Sequence, residues 1–438
     1  MEGRLISGYR PADDPLLLPE ATIYMPNRRA ARALSTAFID WFGGRATLLP
    51  LIRTLGDTDD RDFGLSPADD DESLVLPPIG DLDRVLQLAR LVQGWKDAIS
   101  RETRALLGDE EILIPTSHAD SIRLAHDLAG LLSQMTQEEV EWNRVDDVVP
   151  DDHADWWRLT STFLRIVMEA WPAYLEDTGL LDPADRAVRL LKARAERYAR
   201  DGSRGPVIVA GSTGSVPSTQ LLLKAVAGLP NGAVILPGVD LTLGAREWER
   251  LGRPSLLEDP LVESHPQFGL ARTLANIGSA RENVVELGQP KAGLKQRAQM
   301  VATALSLSDF SADWLDLVST IPADDVSAAF AGVSLIEAIN ERQEALALAI
   351  ALRETLNDPS KTAALVTPDR QLARRVSMEL ERFNLQVDDS GGEMLAQTPV
   401  AQLARKLAQV TLGTPTKSDL VNFIKDPLAR AAVSSKPA

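Results

Sequence analysis

The chain has no cysteine and only four histidines in 438 residues. The first absence excludes disulfides, thiolate zinc sites and cysteine-ligated iron–sulfur clusters within the sequence. His118, His126, His153 and His265 are scattered without metal-ligand spacing, so they read as surface or capping residues and no metal site is expected. No apolar run approaches the roughly 20 residues that a membrane helix needs, and the amino terminus lacks a hydrophobic signal-peptide core. A cytoplasmic protein with no membrane partner is the expectation. Positive charge is scarce as well: 46 Lys and Arg face 63 Asp and Glu, a formal net charge of −17. That balance excludes a chain that coats nucleic acid over its whole surface, but not a local basic track. The acidic runs Asp57 to Glu72 and Asp146 to Asp155 read as solvated loops and put any nucleic-acid site elsewhere.

Nucleotide-hydrolysis signatures are also missing. A P-loop needs G-x-x-x-x-G-K-[ST], because glycine amides cradle the phosphates, Lys neutralises them and the hydroxyl holds magnesium. The nearest lookalike, Gly211 to Thr219, has Val216 and Pro217 where Gly and Lys would be needed. Pro217 also removes an amide donor from the helix start. No Asp-Glu pair closes an apolar strand, and Gly211-Ser212-Thr213-Gly214 has the wrong spacing for a Gly-x-Ser-x-Gly elbow. Asp388-Asp389 could mimic part of a nuclease carboxylate cluster, or could cap a turn before Gly391-Gly392.

What is present is a pair of stretches that echo each other. Ile23-Tyr24-Met25-Pro26-Asn27-Arg28-Arg29-Ala30-Ala31-Arg32 is matched by Leu365-Val366-Thr367-Pro368-Asp369-Arg370-Gln371-Leu372-Ala373-Arg374. Each reads as a buried parallel strand, a Pro that ends the ladder, an Asn or Asp cap, and a helix whose first turn carries arginine. Arginines at the C-terminal edge of such a sheet lie where open α/β folds bind ligands. Arg28, Arg32, Arg370 and Arg374 are therefore candidates for phosphate contacts, against the alternative of solvated helix arginines. Two copies far apart suggest two similar α/β lobes.

The rest of the chain fits that plan. A strand at Ala21 to Tyr24 and a helix from Arg28 to about Phe42, ended by Gly43-Gly44, precede a short strand at Ala46 to Leu49 that stops at Pro50. Residues 61–200 read as a linker followed by an all-helical insertion. Its apolar stripes are Leu82, Val85, Leu86, Leu88, Ala89 and Val92, then Leu124, Leu128, Leu131, Leu132 and Met135. Its Trp142, Trp156, Trp157 and Trp171 suit core packing better than base stacking. A βαβ unit resumes with strand Val207 to Ala210, turn Gly211 to Ser215, helix Val216 to Ala227 and strand Ala233 to Leu236. In that turn Ser212, Thr213 and Ser215 could meet a nucleic-acid phosphate, or the turn could be a plain strand-to-helix connection. Asp240 reads as a site residue or a cap. Further strands are expected at Val284 to Leu287, Ser334 to Ile336, Ala363 to Val366 and Leu385 to Val387. The expected division is a first lobe from residues 1–60 and 201–330, the insertion, and a second lobe over 331–438 that leads into a further helical region.

Several of these stretches resemble one family. Met25 to Leu34, Ala210 to Pro217, Ala233 to Asp240, His265-Pro266-Gln267-Phe268-Gly269, Glu341-Arg342-Gln343-Glu344-Ala345, Ala363 to Arg375 and Phe423 to Ala429 are similar to the AddB subunit of bacterial AddAB-type helicase-nucleases. The resemblance implies an α/β fold of two RecA-like lobes of degenerate superfamily 1 helicase type. It implies a subunit that partners an AddA-like helicase-nuclease, holds single-stranded DNA at broken duplex ends and does not itself unwind. Arg28, Arg32, Thr213, Arg370 and Arg374 would line the single-strand track. Family members also carry a C-terminal nuclease domain with an iron–sulfur cluster, which this sequence lacks together with its cysteines, so truncation is the reading and no cofactor or nuclease activity is expected of this chain. The alternatives are a pure assembly subunit that docks its partner without touching DNA, and an ATP-dependent helicase or nuclease in its own right.

Overall fold

The computed structural model describes residues 15–56, 75–98, 117–142, 163–164, 166–253, 260–288, 293–310, 318–319, 321–392 and 394–429. The chain divides into two compact units, Met1–Ala331 and Gly332–Ala438. His153, Trp156 and Trp157 lie outside the described residues.

The first unit is built on a four-stranded parallel sheet of β1 (Thr22–Met25), β2 (Leu51–Thr54), β3 (Val207–Ala210) and β4 (Gly232–Ile235), in the order β2-β1-β3-β4. In register, Tyr24 lies beside Arg53 on one side and Val209 on the other. The pleat sends Tyr24, Val207 and Val209 to one face, where they form a core with Leu191, Tyr198, Leu222, Leu223 and Val226. Helix α1 (Arg28–Trp41) links β1 to β2, and its buried residue is Ala31. The second strand falls five residues later than the apolar run Ala46 to Leu49 suggests. Pro50 precedes the ladder instead of ending it: the Leu51 amide donates to the Ala21 carbonyl and the Leu55 amide to the Met25 carbonyl, each at 2.9 Å. A residue without an N–H is tolerated before the first bond of a strand, not within it.

Between β2 and β3 the described residues are mainly helical: α2 (Asp81–Ala98), α3 (His118–Gln137), α4 (Trp171–Thr178) and α5 (Pro183–Asp201). Their shared core holds Leu88, Val92, Leu128, Leu132 and Trp171, with Trp142 packed against it. The expected stripes therefore hold only in part. Leu82, Leu86 and Leu131 are exposed, because the buried face of α2 follows Val85, Leu88, Ala89 and Val92 at helical spacing. The polar hub is Asp182, the N-cap of α5. It accepts from the Ala184 amide at 3.0 Å, from Arg84 Nε at 2.8 Å and from Trp171 Nε1 at 3.2 Å.

Helix α6 (Pro217–Ala227) joins β3 to β4. It is followed by α7 (Ala245–Gly252), α8 (Pro260–Ser264), α9 (Phe268–Ile277), α10 (Leu294–Ala304) and α11 (Ala323–Phe330). Val284 to Leu287 is not a strand; Val285 is 78% exposed there and has no sheet neighbour among the described residues.

The second unit contains α12 (Glu341–Thr355), α13 (Arg370–Glu381), α14 (Pro399–Leu412) and α15 (Lys417–Ile424). Its small core joins Ala345 and Ala349 to Val376 and Leu380, with Leu365 and Leu385 packed alongside. The runs expected as strands at Ser334 to Ile336, Ala363 to Val366 and Leu385 to Val387 carry no strand pairing among the described residues. An apolar run secures burial of one side, but a strand also needs a ladder partner. Leu335 and Val366 are left 86% and 93% exposed. Among the described residues no helix is long and apolar enough to cross a membrane.

Candidate nucleic-acid interface

The strand order places a topological switch point between β1 and β3. From β1 the sheet grows one way to β2, and from β3 it grows the other way to β4. In open parallel sheets the crevice outside the carboxyl ends of the two strands flanking that switch is the ligand-binding position. Here those ends are Met25-Pro26-Asn27 and Ala210-Gly211, and Gly211 packs close to the Pro26 ring. The Arg28 start of α1 and the Gly211 to Ser215 turn therefore share one edge of the sheet.

The entry to α1 is as expected. Asn27 is its N-cap, its side-chain oxygen accepting from the Ala30 amide at 2.9 Å. Arg28 is half-buried at the first helical position. Arg32, one turn on, is exposed, with no side-chain hydrogen bond or ion pair among the described residues. No acidic residue stands in the first turn of α1.

The turn after β3 is pinned from below. Thr273 of α9, fully buried, donates through Oγ1 to the Thr213 carbonyl at 2.6 Å. Gln220 donates to Thr273 Oγ1 at 2.9 Å and also to the Gly214 carbonyl, and Asn276 donates to the Gln220 side-chain oxygen at 3.0 Å. Gly214 sits at φ +65°, and a Cβ there would lie 2.6 Å from Thr273 Oγ1. Its amide donates to Ser212 Oγ at 3.1 Å, and the Gly211 amide donates to Ile235. The Gly211 and Gly214 amides that a P-loop would aim at phosphate are thus used internally. Thr213 and Ser215 are exposed residues of a held loop.

Neighbouring candidates resolve into structural roles. Asp240 closes a turn, its Oδ1 accepting from the Thr242 and Leu243 amides at 2.7 and 3.2 Å. His265 is buried, not at the surface, and its Nδ1 accepts from the Gln267 amide at 3.1 Å. His118 and His126 are exposed. Arg53 and Thr54, at the carboxyl end of β2, are buried beside the same edge and were not legible as site residues. Only the polarity of Leu51-Ile52-Arg53-Thr54 within an apolar stretch hints at them.

In the second unit, Arg370 and Arg374 stand on the first two turns of α13. The cap is charged here: Asp369 accepts from the Gln371 and Leu372 amides at 2.7 and 3.2 Å. Arg370 makes a two-pronged pair with Asp389, at 3.0 and 2.8 Å, and donates to the Gly392 carbonyl at 3.1 Å. That carboxylate raises the Arg370 guanidinium above its ordinary value. Arg374, exposed, donates to the neutral Gln397 side chain at 3.1 Å. Asp389 is therefore an arginine partner and turn residue, and among the described residues no acidic or histidine cluster could hold a metal ion. The sheet brings the Arg28–Arg32 start of α1 and the Thr213 turn to one edge; in the second unit Arg370 is held against a carboxylate. No protein-family model and no curated protein matches the chain.

Proposed function

We propose that this chain is a helicase-like, catalytically silent subunit that binds single-stranded DNA. More particularly, it acts as the AddB-type partner of an AddA-like helicase-nuclease in processing broken duplex ends for recombination. On this reading the two units are degenerate RecA-like lobes, and Arg28, Arg32, Thr213, Arg370 and Arg374 line the strand.

The observation that carries the reading is the switch-point crevice. Arg28 and Arg32, on the first turns of α1, stand at the same sheet edge as a turn whose Thr213 and Ser215 are exposed residues and whose Gly211 and Gly214 amides are internally bonded. Guanidinium groups and hydroxyls suit separate backbone phosphates, whereas a triphosphate needs converging amides, a Lys and a metal-binding hydroxyl. Binding of fluorescent oligonucleotides with and without ATP tests this. Affinity for a single strand that is independent of ATP supports the reading, and DNA-stimulated ATP turnover by the chain alone would overturn it.

The assembly reading draws on a different observation. Trp41 is 85% exposed near the end of α1, with Ile39 and Leu48 also more than half exposed. Exposed apolar groups of this size mark protein contacts where they form one contiguous patch. Co-purification with an AddA-like protein in which this chain gives no crosslink to DNA would favour it.

A further inference from the structure

In the second echo motif the leading arginine, Arg370, is held by a carboxylate. We propose that the Asp389 to Gly392 loop is an autoinhibitory clamp on Arg370, a built-in carboxylate occupying the place of a DNA phosphate until a strand displaces it. The inference rests on the single-strand-binding reading above and assigns that site a regulatory part.

The geometry is that of anion recognition. Arginine takes a carboxylate or a phosphate through the same two-pronged donor pattern, and Asp389 presents both oxygens to both terminal nitrogens, at 3.0 and 2.8 Å. The carboxylate is itself aimed by its loop: the Gly391 amide donates to Asp389 Oδ1 at 2.8 Å, and the Gly392 amide to the Asp389 carbonyl at 3.0 Å. The Gly392 carbonyl adds a third acceptor at 3.1 Å. Gly391 allows the close approach. A Cβ at that position would sit 2.6 Å from Nη1 and 2.9 Å from Cζ of Arg370, so a side chain there would push the guanidinium off its present seat.

The clamp is built to open. The Arg370 and Asp389 side chains are 49% and 41% exposed, so solvent and ligand reach the pair directly. Exposed ion pairs contribute little to stability and weaken with salt, and a phosphate offers the same geometry in exchange. Among the described residues Arg374, one turn along α13, bonds to a neutral amide and no carboxylate. Asp369, the N-cap of α13, is a second acid next to Arg370 in the chain.

The test uses the full chain, a fluorescent poly-dT oligonucleotide and a salt titration. Asp389→Asn keeps the shape and removes the charge; the expected result is tighter binding at low salt. Because the strand displaces Asp389 and reaches Arg370 in both proteins, the log-log salt slope should stay that of the wild type. The variant has no exposed ion pair to break, so the gain should be about 1.5- to 5-fold. Gly391→Ala, which dislodges the guanidinium by a different route, should reproduce the effect, and Arg370→Ala in the Asp389→Asn background should abolish it. Unchanged or weaker binding by both Asp389→Asn and Gly391→Ala, with the wild-type slope, makes the loop a positioning element and overturns the clamp alone. If neither the wild type nor any variant binds the oligonucleotide in a salt-dependent way, the DNA reading fails and the clamp falls with it.

Discussion

The hydroxyls of Tyr24 and Tyr198 lie 3.0 Å apart in the core, joining the central strand β1 to the last helix that precedes β3. Arg194 lies over the Tyr24 ring at 5.9 Å. This contact fixes the strand whose end carries Arg28. Tyr24→Phe leaves the Tyr198 hydroxyl buried without its partner and should cost about 1–3 kcal/mol, as should Tyr198→Phe. The double variant should cost less than the sum, because neither hydroxyl is then stranded. Urea denaturation of the four species closes the cycle, and strict additivity would show that the bond does not couple the two elements.

Alkaline pH should expose the same residue. Burial, and next the neighbouring Tyr198, hold the Tyr24 phenol well above its ordinary value of 10.0. The folded state thus keeps a proton that the unfolded chain releases. This contribution is complete below pH 10 and is lost above it at about 1.4 kcal/mol per pH unit. Stability measured on both sides of that point should fall less steeply in Tyr24→Phe than in the wild type.

Asp182 should be the most sensitive polar position of the helical segment. Its carboxylate, with Arg84, is largely buried, and it also caps α5 and accepts from Trp171. Asp182→Ala should destabilise the chain by about 3–5 kcal/mol, since it leaves a buried guanidinium unpaired. A loss near that of an exposed ion pair, measured by urea unfolding, would contradict the buried hub.

Gly214 tests whether the switch-point turn must be held. Gly214→Ala places a side chain at φ +65° and against Thr273 Oγ1 and Gln220 Nε2. The backbone conformation alone should cost about 1–2 kcal/mol, with the collision adding to it. Thermal unfolding measures the loss. Single-strand affinity should drop with it at temperatures where the variant is still folded, because the Thr213 side chain is then displaced.

What the sequence made legible was local. The Asn27 and Asp369 caps, the Gly43-Gly44 stop and the β3-α6-β4 unit follow from residues within a few positions of one another. Strand pairing is not local. The shift of β2 past Pro50 is set by bonds to Ala21 and Met25, and the runs around Leu335 and Val366 have no strand partner among the described residues, which periodicity cannot encode. The same limit hid the site's supports. Asp182-Pro183 announces a capped helix start, but Arg84 is 98 positions away, and nothing near Thr213 points to Thr273. Arg370 read as a twin of Arg28 because the echo contains no trace of Asp389.

The account rests on arginines at the β1–β3 edge meeting phosphates. Its most direct measurement is the salt dependence of oligo-dT binding for the wild type and for Arg28→Ala/Arg32→Ala. Two lost contacts should flatten the log-log slope by about 1.4 and weaken binding similarly for any base sequence. An unchanged slope with unchanged affinity would contradict the account.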